Sequence, residues 1–360
     1  SFLHQHGMVE TAVVEQHPTG LARAMAIADN TAGDVRSVAA QCKLQESALA
    51  EFYRLWARTD RVITAFSMGV NQSSAGTDKV NSIINCHLLS GRIGKSGAGP
   101  FSITGQPNAM GGREVGGLSN MLAAHMDLDN AAHRDLVQGF WQSPVIANRP
   151  GLKAVDLFEK IEAGTVKAVW IMATNPVVSL PNADQIKRAL AKCELVVVSD
   201  VMAKTDTTAF AHVLLPAQGW GEKDGTVTNS ERCISRLRAF LPPIGEAKPD
   251  WWALAEVGKR LGHAEHFAWN GVHEVFDEHA RLSGHGNDET TPRYFDISGM
   301  AGLDRAGFDG IQPTRWPVAA ANQKSHEVFA DGRFYTPDRK ARFLAIKPRM
   351  PQHATEEDYP

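Results

Sequence analysis

The sequence predicts an α/β protein in which parallel sheets carry flanking helices, and three observations predict it. Short apolar runs of strand length recur at Arg61–Phe66, Lys167–Met172, Glu194–Ser199 and His212–Leu215. Between them lie stretches whose apolar residues repeat at helical spacing. Glycine and proline punctuate the joins. Buried runs alternating with helices are the pattern of a parallel sheet with crossover helices, because strands covered on both faces lose polar alternation.

The elements follow in order. Leu21, Met25 and Ala28 form a first helical stripe, Val35, Val38, Ala39 and Cys42 a second, and Leu49, Phe52, Leu55 and Trp56 a third. After the strand at Arg61–Phe66 comes a polar loop, SMGVNQSSAG. The next helix is expected to start near Thr77, with Val80, Ile83, Ile84 and Leu88 on one face and Gly91 at its carboxyl end. From Gly91 to Gly117 nine of 27 residues are glycine. That density weakens any long helix or strand. Phe101, Ile103, Gln106, Asn108 and Met110 make the stretch a structured loop rather than a flexible tether.

Ser143–Gly151 (SPVIANRPG) reads as an internal boundary. Beyond it, Ala154, Leu157, Phe158 and Ile161 mark a helix ended by Gly164, and Ala183–Lys192 another. Glu222–Arg238, with a turn signal at Asp224–Gly225, reads as a hairpin or an irregular loop. Trp251–Leu261 is a helix. From His263 to Gln323 periodicity fades, and Phe329–Leu344 reads as one more strand pair. Two Rossmann-like parallel-sheet domains are therefore expected, 1–142 and 143–262, followed by an irregular extension, 263–360.

The 360 residues carry a net charge of −3, which gives no electrostatic case for nucleic acid or an anionic membrane. No run approaches the 18 apolar residues of a membrane span. Cys42, Cys86, Cys193 and Cys233 lie at least 40 positions apart, which excludes a local zinc or iron–sulfur ligand set and suggests a reducing compartment. The chain starts at Ser1 without an initiator Met or an apolar leader, and is expected to be an excised piece.

In an open parallel sheet, ligands bind beyond the carboxyl ends of the strands. There stand Met68, Gly69, Asn71 and Gln72; Asn175 before Pro176; Ser199 and Asp200; and Lys223 after Trp220. Asp can accept paired donors from a guanine edge or a ribose, and Lys neutralises a diphosphate. The same residues also serve as turn formers and helix caps, and both readings stay open. Asp250 reads only as an N-cap ahead of Trp251. No G-x-G-x-x-G follows a strand, and GKSGAGPFSITG lacks the ending of a P-loop. Arg113-Glu114 sits inside the glycine-rich loop. Its guanidinium fork suits a small planar oxyanion, and an ordinary Arg–Glu ion pair is the alternative.

At this point the strings resemble a known family. SMGVNQSSAGTDKVNSIINCHLLSGRIGKSGAGPFSITGQPNAMGGREVGGLSN, WIMATNPVVSLPNAD, VVVSD, HVLLPAQGWGEKDGTVTNSER and FYTPDRKARF are similar, in this order, to the molybdopterin oxidoreductase (dimethyl sulfoxide reductase) superfamily. The likeness runs from about residue 5 to residue 345. GQPNAMGGREVGG points to its assimilatory nitrate reductase branch.

The resemblance implies a molybdenum centre held by two molybdopterin guanine dinucleotides, and reduction of nitrate to nitrite. Met68, Gly69, Asn71 and Gln72 would lie against the cofactor. Asn175, Ser199, Asp200, Lys223 and Asp250 would hold a guanine dinucleotide arm. Arg113 and Glu114 would line the substrate funnel, with Glu114 steadying the guanidinium. Arg113, Glu114, Met68 and Gln72 would serve catalysis. The family's [4Fe–4S] cluster domain, its molybdenum-ligating residue and its C-terminal cofactor domain have no counterpart in this sequence. The chain is expected to be the middle of a cytoplasmic subunit, partnered by the rest of that subunit and an electron donor. Three other readings stay open: a formate dehydrogenase or periplasmic nitrate reductase of the same superfamily, a non-catalytic scaffold, and a nucleotide-binding protein without redox chemistry.

Overall fold

The computed structural model describes residues 2–321, 323 and 326–349. Two units group by contact. The first comprises the described residues up to Ala109, with Pro292–Tyr294 and the described residues after Lys324. The second is Met110–Thr291 with Phe295–Gln323.

The first unit begins with short helices α1 (Phe2–Gln5) and α2 (Thr11–Gln16). Then come α3 (Leu21–Ala32), α4 (Val35–Gln41) and α5 (Glu46–Arg58), on the three stripes read from the sequence. Arg92 closes the carboxyl end of α5. Its guanidinium donates to the carbonyls of Trp56 and Thr59, both at 2.6 Å, and lies 4.0 Å over the Trp56 ring. Strand β1 (Ile63–Phe66) pairs in parallel with β2 (Gly99–Ser102). The expected polar loop after β1 instead holds one helical turn, α6 (Met68–Asn71), because the Ser67 carbonyl accepts from both Val70 and Asn71 N–H at 2.9 Å. Helix α7 (Gly76–Leu89) follows, and Gly91 adopts φ +60° as its expected terminator. The expected strand pair at Phe329–Leu344 is absent among the described residues. That segment is held by turns and by isolated bonds such as Phe343 N–H to the Thr19 carbonyl, 2.9 Å.

The glycine-rich stretch holds β2 and, spanning into the second unit, the short helix α8 (Ala109–Glu114). Helices α9 (Ala131–Trp141) and α10 (Ala154–Glu162) precede β3 (Ala168–Met172). A short turn α11 (Pro176–Ser179) and α12 (Ala183–Lys192) cross over to β4 (Leu195–Asp200), and β5 (Val213–Pro216) completes a parallel sheet in the order β3-β4-β5. Phe158 and Ile161 of α10, Ile186 and Leu190 of α12, Ile171 of β3 and Val196 and Val198 of β4 form one buried core. Crossover helices covering the central strand explain its unbroken apolar run.

The 222–238 segment is the hairpin of the two readings: β6 (Gly225–Thr228) and β7 (Cys233–Leu237) pair antiparallel. The turn is not at Asp224–Gly225, which starts β6. It lies at Asn229–Arg232, where the Asn229 side chain accepts from Glu231 and Cys233 N–H, both 3.0 Å, and Arg232 takes φ +73°. Helix α13 (Asp250–Gly258) continues as a wider helical turn to His263. Two helices were hidden in the fading stretch, α14 (Val272–Gly284) and α15 (Arg305–Asp309). The buried residues of α14 are Phe276, Ala280, Leu282 and Ser283, of which only two are large and apolar. Strand β8 (Thr314–Arg315) joins β7. Because β8 and α14 belong with β6 and β7, the grouping differs from the expected boundaries at 142/143 and 262/263.

Leu190 is 1% exposed in the core against β4. Leu190→Ala should destabilise the second unit by about 2–5 kcal/mol, read from its denaturant unfolding transition.

Candidate functional site

Parallel pairing brings the carboxyl ends of β3, β4 and β5 to one edge. Met172 lies opposite Ser199, and Asp200 opposite Pro216. The Asp200 carbonyl accepts from Ala217 N–H at 3.1 Å, and Ala217 bridges to Lys248. That bridge sets Asp250 beside the turn bearing Lys223, whose Nζ lies 2.6 Å from Asp250 Oδ2. The edge thus carries Asn175, Asp200 and the Lys223–Asp250 pair.

Their states differ. Asn175 Oδ1 is taken by the hydroxyl of buried Thr207 at 2.5 Å, and Thr207 also accepts from Val177 N–H. Asp200 Oδ1 accepts from Met202 N–H at 2.9 Å, which leaves its second oxygen for a ligand. Ser199 does not present its hydroxyl: it is 3% exposed and accepts the Trp170 indole N–H at 2.8 Å. Asp250 is the first residue of α13 rather than its cap, which is Pro249. Its Oδ1 is buried without a hydrogen-bond partner among the described residues. A buried acceptor left unmatched beside an ammonium is costly unless a ligand N–H reaches it.

Sequence reasoning missed Glu222. It is 9% exposed, and its oxygens take Gly219 N–H at 2.7 Å and Ile244 N–H at 3.0 Å, so it shapes the turn presenting Lys223. Its spacing of three from Gly219 was the available signal. Thr207 and Lys248 left no such trace.

In the first unit, Met68, Gly69, Asn71 and Gln72 occupy α6 at the carboxyl end of β1. Asn71 donates to Ser102 Oγ of β2 at 3.4 Å. Asn71 and Gln72 are exposed. A Cβ at Gly69 would meet no protein atom within 4 Å, so the protein's own packing does not require glycine there.

Arg113 and Glu114 end α8 and belong to the second unit. The expected pairing between them is not made. Glu114 is 4% exposed, and its carboxylate accepts from Trp316 Nε1 at 2.7 Å and from Thr228 Oγ1 at 2.8 Å. It therefore lines no open funnel. Burial pushes this carboxyl above the usual range, against the two hydrogen bonds. The part-buried Arg113 guanidinium forms no ion pair or hydrogen bond among the described residues, and its charge acts on His125. Burial, then the Arg113 charge, holds His125 down to about 4. Burial, then His125, does the same to His279. The two rings stack on Phe295 from centroids at 5.2 and 5.5 Å.

The chain belongs to the molybdopterin oxidoreductase family, which matches residues 5–260. A nitrate reductase of Klebsiella oxytoca is 51% identical over 94% of this chain and 38% of its own length. The assimilatory nitrate reductase catalytic subunit of Bacillus subtilis is 30% identical, with 81% of this chain and 40% of that protein covered. The F420-dependent formate dehydrogenase subunit alpha of Methanocaldococcus jannaschii is 29% identical, with 89% and 44% covered. The chain spans about two fifths of the length of these curated relatives.

His125 and His279 refuse protons when folded that the unfolded chain accepts from about pH 6.5 downward. Stability of the second unit is therefore complete above that pH and should fall toward pH 4, by about 3 kcal/mol per imidazole. Denaturant midpoints measured from pH 7 to 4 should show a shallower fall for His279→Phe.

Proposed function

We propose that the chain is the central part of a molybdenum-dependent nitrate reductase that converts nitrate to nitrite by two-electron oxygen-atom transfer. Arg113 carries the reading: a part-buried guanidinium without an ion-pair partner among the described residues, mounted in a glycine-rich turn. Its planar fork can bond two oxygens of a trigonal anion at once. His125, held neutral at pH 7, adds no charge that would compete for the anion. The nitrate reductases among its relatives support nitrate as that anion.

The residues at the β3-β4-β5 edge fit the guanine dinucleotide form of the family's cofactor. Asp250 Oδ1 and the second Asp200 oxygen can accept ring N–H or ribose hydroxyl donors, Lys223 can neutralise phosphate, and Asn175 keeps its amide N–H groups. Met68, Gly69, Asn71 and Gln72 would lie against the pterin, with Gly69 open to close approach. Ser199 supports the edge through Trp170 instead of touching the ligand. When bound, the molybdopterin group supplies the oxygen-accepting, two-electron chemistry. This chain's residues bind, orient and desolvate. An iron–sulfur cluster would belong to other parts of a cytoplasmic subunit, and its electrons would come from a separate donor protein or subunit.

In the full subunit, Arg113→Ala should raise the nitrate KM or cut turnover at least tenfold, to order of magnitude, with molybdenum content near normal. Equal loss of metal by elemental analysis would make Arg113 structural. Formate oxidation by the same preparation, with no nitrate reduction, would move the chain to the other branch. Asp250→Asn should lower the bound guanine nucleotide released on denaturation. The 360-residue chain purified alone should hold neither molybdenum nor iron.

A further inference from the structure

Trp316 lies 202 positions from Glu114, yet its indole N–H meets that carboxylate inside the second unit. We propose that Glu114, Trp316 and Thr228 form a positioning device that aims Arg113. The proposal rests on Arg113 as the anion-binding group.

Adjacent helical residues leave the axis about 100° apart, so locking Glu114 inward fixes the direction in which Arg113 leaves α8. The lock is tight on every side. Both Glu114 oxygens are held, and its carbonyl accepts from Ala124 N–H at 2.7 Å. The chain beyond folds back hard onto α8. Gly116, at φ +76°, has no room for a Cβ, which would lie 2.7 Å from Ala123 N and Leu122 C. A Cβ at Gly117 would lie 2.7 Å from the Gly112 carbonyl oxygen. Ala124 and His125 both adopt positive φ, +57° and +55°, which costs free energy in residues with side chains.

Trp316 is itself enclosed by packing. It is 1% exposed and packs edge-on against Phe295 at 5.2 Å and His125 at 5.8 Å. Arg232 donates to its carbonyl at 3.0 Å. A carboxylate buried on neutral donors is a poor way to gain stability. It is a good way to hold one direction, because each oxygen has one place to be. A helix of six residues has little else to orient it.

The full subunit tests this. Trp316→Phe keeps an aromatic ring, smaller than the indole, and removes the donor. It should raise the nitrate KM about tenfold, leave kcat within about twofold, and leave molybdenum content unchanged. Glu114→Gln keeps the side chain's shape and an acceptor for Trp316, and should move the nitrate KM less than Glu114→Ala does. Glu114→Ala should match or exceed Trp316→Phe. In an Arg113→Ala background, Trp316→Phe should add nothing further. KM effects that multiply in the double variant would overturn the proposal. A nitroxide on Arg113→Cys gives a readout free of catalysis: Trp316→Phe should make it more mobile, and an unchanged spectrum would overturn the proposal. If Arg113→Ala alone leaves the nitrate KM unmoved, the anion-binding role falls, while the nitroxide still decides the mount.

Discussion

A parallel sheet sends every strand out through the same edge, and the chemistry of the second unit depends on that constraint. β3, β4 and β5 run in register, so the residues following them cannot disperse. The edge then recruits a distant segment: the Ala217–Lys248 bridge extends the sheet's hydrogen bonding just far enough to set Asp250 against Lys223. Neither residue is more than about a third exposed. Their attraction alone contributes little stability at such exposure. Its value is placement, since it leaves one buried carboxylate oxygen with no donor among the described residues.

Around Arg113 the strategy is different. No strand end supports it. The chain instead gives up backbone freedom, with glycines where a side chain would collide and two left-handed residues that accept strain. The packing behind this turn is aromatic, through Trp316, Phe295, His125 and His279. Histidines in that packing stay neutral because burial disfavours their charge. The guanidinium therefore stands on a rigid, largely apolar base.

Much of this was legible in the residues. The strands of the parallel sheet were readable because burial on both faces removes polar alternation, and Asn175, Asp200 and Lys223 followed from strand ends. Side-chain allegiance was not legible. Ser199 and Trp170 are neighbours across two strands, and Glu114 finds Trp316 only through the folded second unit. Charge suggested Arg113 as the partner of Glu114; burial chose two neutral donors. Helix α14 escaped notice because its buried residues mix Phe276 and Leu282 with small Ala280 and polar Ser283, which breaks the apolar stripe. The hairpin turn was misplaced for a related reason: Asn229 caps it through its side chain, without the Asn-Gly signature that local reading favours.

The buried Asp250 oxygen has a consequence for the life of the protein before it works. An acceptor buried without a donor weakens the folded state until something supplies the missing hydrogen bond. A group that binds only the folded form raises stability in proportion to the logarithm of its concentration over its dissociation constant. A ligand that matched this oxygen would therefore couple its own binding to survival: chains without it would open more often and meet proteases first.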